Sequence, residues 1–169
     1  MTVEAVIERA DTSTGSFYAR FGNRDGLFTA MHERFLDGFA SQVQTVLIDA
    51  ARRPTIEDTI EYFIAGVFDA VREHRGTLVF HVLQNAHNPT MRAQGNALTT
   101  ALAHAFRDAI QHHANDPRPV DDDTMSVIGR SLFAMTLELM LFDEHEVSGH
   151  AVSASTLTAS WRDMVLALL

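Results

Sequence analysis

An all-α fold follows from three observations on the sequence. Apolar residues recur at three- and four-residue spacing over long runs, as in Leu27, Met31, Phe35, Phe39, Val43, Val46, Leu47 and in Ile56, Ile60, Phe63, Ile64, Val67, Phe68, Val71. Residues that cap helices, Ser13, Asn23 and Thr55, stand where such runs begin. Breakers separate the runs: Gly22, Pro54, Asn88-Pro89 and the segment NDPRPVDDD at 115–123.

With 169 residues the chain can build one sizeable core or two small subdomains that share helices. Apolar residues make up 46% and charged residues 21%, which fits a globular chain. Cysteine is absent, so disulfides and thiolate metal sites are excluded. No run approaches a membrane span and the N-terminus lacks signal-peptide features, so the expectation is a cytoplasmic protein with no membrane partner. The net charge of -9 argues against the whole chain wrapping a polyanion. Residues 1–34 are closer to balance, with Arg9, Arg20, Arg24 and Arg34 against Glu4, Glu8, Asp11, Asp25 and Glu33.

The elements follow in chain order. Thr2 to Ala10 places Val3, Val6, Ile7 and Ala10 on one face of a short helix. Ser13 caps a second, from Thr14 to about Arg20, which puts Phe17 and Phe21 on a common face. Gly22 and Asn23 end it, and Asn23 caps a long helix from Arg24 to about Ala50, stopped by Arg52-Arg53-Pro54. Thr55 starts a strongly amphipathic helix that ends on Arg72, His74, Arg75 and Gly76. Thr77 to Ala86 is almost continuously apolar and, between helical neighbours, is expected to be a short buried helix. Asn88-Pro89 leads into a helix from Met91 to His113 with Leu98, Leu102, Ala105, Phe106, Ala109 and Ile110 inward. After the loop at 115–123, three aspartates precede a helix from Thr124 to about Asp143, where negative charge suits the positive end of the helix. Following a turn at 144–153, the last helix presents Leu157, Trp161, Met164, Val165 and Leu168, which a partner subunit is expected to cover.

Two short helices joined by a tight turn form a helix-turn-helix pattern. The run TVEAVIERADTSTGSFYARFGNRDGLFTAM resembles the second, third and early fourth helices of the TetR family of bacterial repressors, on Thr2-Val3, Ala10, Ser13, Gly15, Phe17-Tyr18, Phe21, Arg24 and Leu27. Asp11 stands where the family has a glycine in the turn, and Arg24 replaces the usual lysine. The resemblance also implies a further helix ahead of Thr2, which this sequence does not contain.

The resemblance implies two domains: 1–36, a helix-turn-helix DNA-binding domain without its first helix, and 37–169, for ligand binding and dimerisation. It implies a homodimer through the last two helices, a near-palindromic operator DNA and a small-molecule effector. Thr2 would hold a phosphate, while Ser13, Thr14 and Ser16 would face base edges and Gly15 would let the backbone approach. Tyr18 and Arg24 would contact phosphates, and Arg20 a phosphate or a guanine edge. Phe17 and Phe21 belong to the core.

In the regulatory part, Phe63, Phe68, Phe80, Phe106 and Phe133 are the expected walls of an apolar ligand site, with His81, Gln84 and Asn85 as polar anchors. The nine histidines invite a metal, but adjacent helical His112 and His113 diverge by about 100° and cannot easily share one ion. No metal and no cofactor is expected. There is no glycine-rich phosphate loop, no GxSxG and no HExxH, so enzymatic chemistry is not expected either. The alternative to a regulator is a helical ligand-binding or dimerisation module without DNA binding.

Overall fold

Short polar side chains start the helices. In the computed structural model Thr2 accepts a bond from the Ala5 amide at 3.3 Å and opens α1 (Val3–Arg9), and Ser13 accepts from Ser16 at 3.0 Å and opens α2 (Thr14–Phe21). Asn23 Oδ1 takes the Gly26 amide at 2.8 Å at the head of α3 (Arg24–Ala50). Thr55 caps α4 (Ile56–Glu73), Asn88 caps α6 (Pro89–Gln111), Asp121 caps α7 (Asp122–Leu141) and Ser153 caps α8 (Ala154–Leu168). The remaining helix, α5 (Arg75–Asn85), follows α4 after the single residue His74. Each such cap contributes about 1 kcal/mol by satisfying an amide that the helix leaves unpaired. The structure describes residues 2–85, 88–113, 120–142 and 149–169, with Gln84 and Asn85 as backbone only; among them there is no strand. The fold is all-α.

The chain divides into two compact units, Met1–Gly38 and Phe39–Leu169. In the first, Phe17 is buried, with the rings of Tyr18 and Phe21 each 5.3 Å from it, while α1 contributes no buried residue. In the second, the core is built on α4. Its buried residues Ile60, Phe63, Ile64, Val67, Phe68 and Val71 form a cluster with Val43 and Leu47 of α3, Phe106 and Ile110 of α6, Met125, Ile128 and Met140 of α7, and Trp161 and Val165 of α8. Burying each large side chain stabilises by roughly 1.5–3 kcal/mol, so this face carries the unit.

Several expectations are corrected. Met31, expected inward, is 42% exposed, and Phe28 and His32 are buried instead. The reason is phase: each four-residue step turns about 40° beyond a full circle, so a stripe drawn through such steps drifts off one face. Ala105 is exposed, whereas Met91 is buried.

The break after α4 falls at His74 rather than Gly76, which lies in the first turn of α5. Tertiary bonds place it there. His74 Nε2 is 2.9 Å from Gln42 Oε1, and Arg75 donates to the carbonyls of Met140 at 2.9 Å and Phe142 at 3.2 Å, capping the end of α7. α5 is helical but half-buried, with Leu83 57% exposed and His81 the buried member. Trp161 and Val165 need no partner subunit, because both are buried within this chain and the Trp161 indole donates to Ser131 at 3.2 Å.

α7 is long and apolar enough to match a membrane span by length and composition, with mean hydropathy 1.3, contrary to expectation. One side of it, with Met125, Ile128, Thr136 and Met140 buried, packs on α4, α5 and α6, while only 22% of the span is buried within the chain. Residues 115–119 of the expected loop and 144–148 of the expected turn lie outside the described residues.

α3 and α4 approach so closely that a Cβ on Gly66 would lie 2.4 Å from Val46 Cγ1. Gly66→Ala should therefore cost about 1–3 kcal/mol in urea unfolding by overpacking, and Val46→Ala in the same chain should recover part of that loss. At the head of α7, hydrogen bonds from the Thr124 amide and then its hydroxyl hold the Asp121 carboxyl below the usual carboxylate range. A depressed carboxyl stabilises the folded chain above its unfolded pKa and loses that contribution as pH falls through the carboxylate range. Asp121→Asn should consequently flatten the acid limb of stability against pH, followed by urea unfolding between about pH 7 and 3.

Candidate DNA-binding surface

The turn between α1 and α2 needs one residue with left-handed backbone. Asp11 supplies it at φ 47°, as aspartate tolerates better than most residues. Its amide donates to the Glu8 carbonyl and that of Thr12 to the Ile7 carbonyl, both at 3.2 Å, which folds the chain back towards Ser13. Ser13 then does two things: its hydroxyl oxygen accepts the Ser16 amide at 3.0 Å, and its hydroxyl donates to Ser16 Oγ at 2.9 Å. Ser16 thus accepts from Ser13 and keeps its own hydroxyl hydrogen for another acceptor.

Phe17 holds α2 from one side, being only 2% exposed. The other side is open: Ser13, Thr14, Gly15, Ser16, Tyr18 and Arg20 are all exposed, as are Thr2 and Arg24. One exposed strip of α2 therefore carries the hydroxyls of Ser13, Thr14 and Ser16 at its start and Arg20 in its last turn. Thr2 uses its oxygen as an acceptor in the α1 cap, which leaves its hydroxyl hydrogen to donate. The guanidinium of Arg20 lies 5.4 Å from the centre of the Phe21 ring and that of Arg24 lies 5.0 Å from the Phe28 ring. Each ring holds a cation near the surface by its negative face. At Gly15 an added Cβ would meet only Ser13 Oγ at 3.8 Å, so packing within the chain does not require glycine there.

Gly26 was not singled out in the sequence, yet it is the tightest point of this unit. A Cβ there would stand 1.9 Å from the Phe21 carbonyl oxygen, where α2 ends against the start of α3. A glycine in the first turn of a helix, at a cost of about 1 kcal/mol against alanine, was the available signal. Gly26→Ala should displace the end of α2 and speed amide hydrogen exchange across residues 3–28, with protection in α4 unchanged.

The residues expected around an effector are only partly brought together. Phe63 and Phe106 stack at 4.5 Å between ring centres, Trp161 joins Phe106 at 6.1 Å, and Phe68 belongs to the same core. On α5, His81 is buried, Phe80 is half-buried and their rings are 5.2 Å apart. Phe133 stands apart, 49% exposed on α7, and the side chain of Gln84, like that of Asn85, lies outside the described residues. Trp161 was expected at an interface with another subunit and instead walls this core. Among the described residues no three His, Asp or Glu side chains come together as metal ligands.

Residues 1–31, which include all of α1, the turn and α2, match the family model of bacterial regulatory proteins, tetR family. No curated protein and no solved structure matches the chain. That match falls on the helices that set Ser13, Thr14 and Ser16 at the surface, so this N-terminal part of the chain is similar to the corresponding part of bacterial regulatory proteins of the tetR family.

Proposed function

We propose that the chain is a repressor that binds near-palindromic operator DNA as a two-fold homodimer and is released by a small, largely apolar molecule. The observation that carries this reading is the exposed start of α2, where three hydroxyl residues stand on a helix anchored by buried Phe17. Such a helix enters the major groove end-on, with Ser13, Thr14 and Ser16 towards base edges and Gly15 allowing close approach. Thr2, Tyr18 and Arg24 take phosphates, and Arg20 takes a phosphate or a guanine edge. Few cations are involved, so the phosphate-driven part of the affinity is small and its salt dependence is shallower than that of a strongly basic binder.

Dimerisation is supported by apolar side chains left at the surface of the last two helices. Val127, Phe133 and Leu141 are exposed on α7, with Leu168 at the end of α8 and Leu169 after it. A two-fold dimer that reads a near-palindromic operator needs its two recognition helices about 34–36 Å apart, one turn of DNA. A cytoplasmic setting follows from the role on DNA. The effector acts among Phe63, Phe68, Phe80, His81, Gln84 and Phe106, where it competes with the Phe63–Phe106 stack; Phe133 is assigned here to the dimer surface. To lower operator occupancy a hundredfold, it must bind the released form about a hundredfold tighter, roughly 2.7 kcal/mol.

A second reading has one observation in its favour. α1 buries no residue, and Val3, Val6 and Ile7 are only half-buried, so the N-terminal unit is thinly cored. On that reading the chain is a helical ligand-binding and dimerisation module that does not hold DNA.

Fluorescence anisotropy separates the two. The chain is titrated against the DNA flanking its own gene and against a scrambled duplex, at low and near-physiological salt. Repression predicts saturable binding that prefers the flanking DNA, and a loss of about tenfold on Arg24→Ala with helicity unchanged. Equal or absent binding to both duplexes would discard the repressor reading in favour of the second. Sedimentation of Phe133→Glu should show a monomer where the wild type is a dimer.

A further inference from the structure

Among the described residues Asp11 is the one non-glycine residue with left-handed backbone. That conformation carries a steric cost which glycine would not. Nothing in the fold repays it through the side chain. The turn is closed by backbone bonds alone, from the amides of Asp11 and Thr12 to the carbonyls of Glu8 and Ile7. The Asp11 carboxylate is exposed and makes no hydrogen bond or ion pair among the described residues. A residue kept at a strained position without a structural return points to a role outside the fold.

Its surroundings say which role. Asp11 lies two residues before Ser13, the cap of α2, so a full negative charge is fixed at the entrance to the exposed hydroxyl strip. The cations of α1, α2 and the start of α3 are few: Arg9 at the end of α1, then Arg20 and Arg24, each held over a ring. With so little positive charge, one carboxylate changes the local field by a large fraction. Phosphates are present in every DNA sequence, so a charge that repels them weakens binding to all duplexes alike. Contacts to base edges, which only the right sequence completes, are left to decide occupancy.

We propose that Asp11 is a selectivity residue, whose exposed carboxylate in the α1–α2 turn suppresses phosphate-driven binding to arbitrary DNA. This rests on the reading of α2 as a DNA-recognition helix. Its chemistry needs no ligand other than the DNA backbone.

The test uses the full chain with Asp11→Asn, which removes the charge and keeps a residue that tolerates left-handed backbone, and Asp11→Gly, which also removes the strain. Anisotropy is measured on a random duplex and on the DNA flanking the gene, at two salt concentrations, with circular dichroism as the control for folding. Both variants are expected to bind the random duplex about three- to tenfold tighter at low salt, with the gain shrinking as salt rises. The preference for the flanking DNA should fall by a similar factor. Unchanged or weaker random-duplex binding by Asp11→Asn overturns the proposal, and so does a gain confined to Asp11→Gly, which would assign the effect to the backbone. If the wild type and both variants bind neither duplex at low salt, the DNA reading itself fails and takes the proposal with it. Wild-type binding with no effect of Asp11→Asn leaves that reading standing and removes only the role of Asp11.

Discussion

The larger unit depends on the apolar face of α4. Ile60, Ile64 and Phe68 are among the most completely buried side chains in the chain, and α6, α7 and α8 each turn their own apolar side towards that helix. Because dispersion and burial act over the whole face, losing one methyl group is felt by several neighbours at once. Gly66 shows how tight the arrangement is, since a single additional carbon has no room beside Val46. Thr59, buried on the same helix, bonds the carbonyls of Ala50 and Thr55 at 3.1 and 2.9 Å and so fixes the turn that brings α3 into α4.

The N-terminal unit is held differently. Among its described residues only a few are buried, namely Phe17, Leu27, Phe28 and His32, and hydrogen bonds at helix ends help to set its geometry: Thr2, Ser13 and Asn23, with Asp11 and Gly22 at positive φ between them. Caps specify where helices begin but contribute little energy each, about 1 kcal/mol. A unit built this way presents its exposed hydroxyls in a defined register without a large core beneath them.

Much of this was legible in the sequence, for physical reasons that can be named. Ser13, Asn23 and Thr55 cap where they were expected to cap, because the signal is local: a short side chain, an adjacent amide and nothing else. The α4 face was legible because its spacing mixes three- and four-residue steps and stays in phase with the helix. What failed needed distant partners. The break at His74 depends on Gln42 and on the carbonyls of Met140 and Phe142, up to 67 positions away. Phe133 and Trp161 exchanged their expected places, one outward and one inward, because an apolar helix such as α7 does not reveal which of its sides meets α4. Gly26 was missed because its one signal, a glycine in the first turn of a helix, does not show which backbone it lies against. For the candidate site, the residue types on α2 were legible together with their exposure, since Phe17 and Phe21 mark the opposite face. The effector residues were not, because aromatic rings in a helical core look alike whether they line a site or fill one.

The two ends of α7 are electrically complementary to its backbone. Asp121, Asp122 and Asp123 crowd its positive end, and the guanidinium of Arg75 closes its negative end on the carbonyls of Met140 and Phe142. A helix neutralised at both termini keeps its shape without help from whatever meets its exposed side. The exposed apolar side chains Val127, Phe133 and Leu141 are therefore carried on backbone that is already ordered. Any partner that met these side chains would order little further chain here, so the entropy lost on contact would be small.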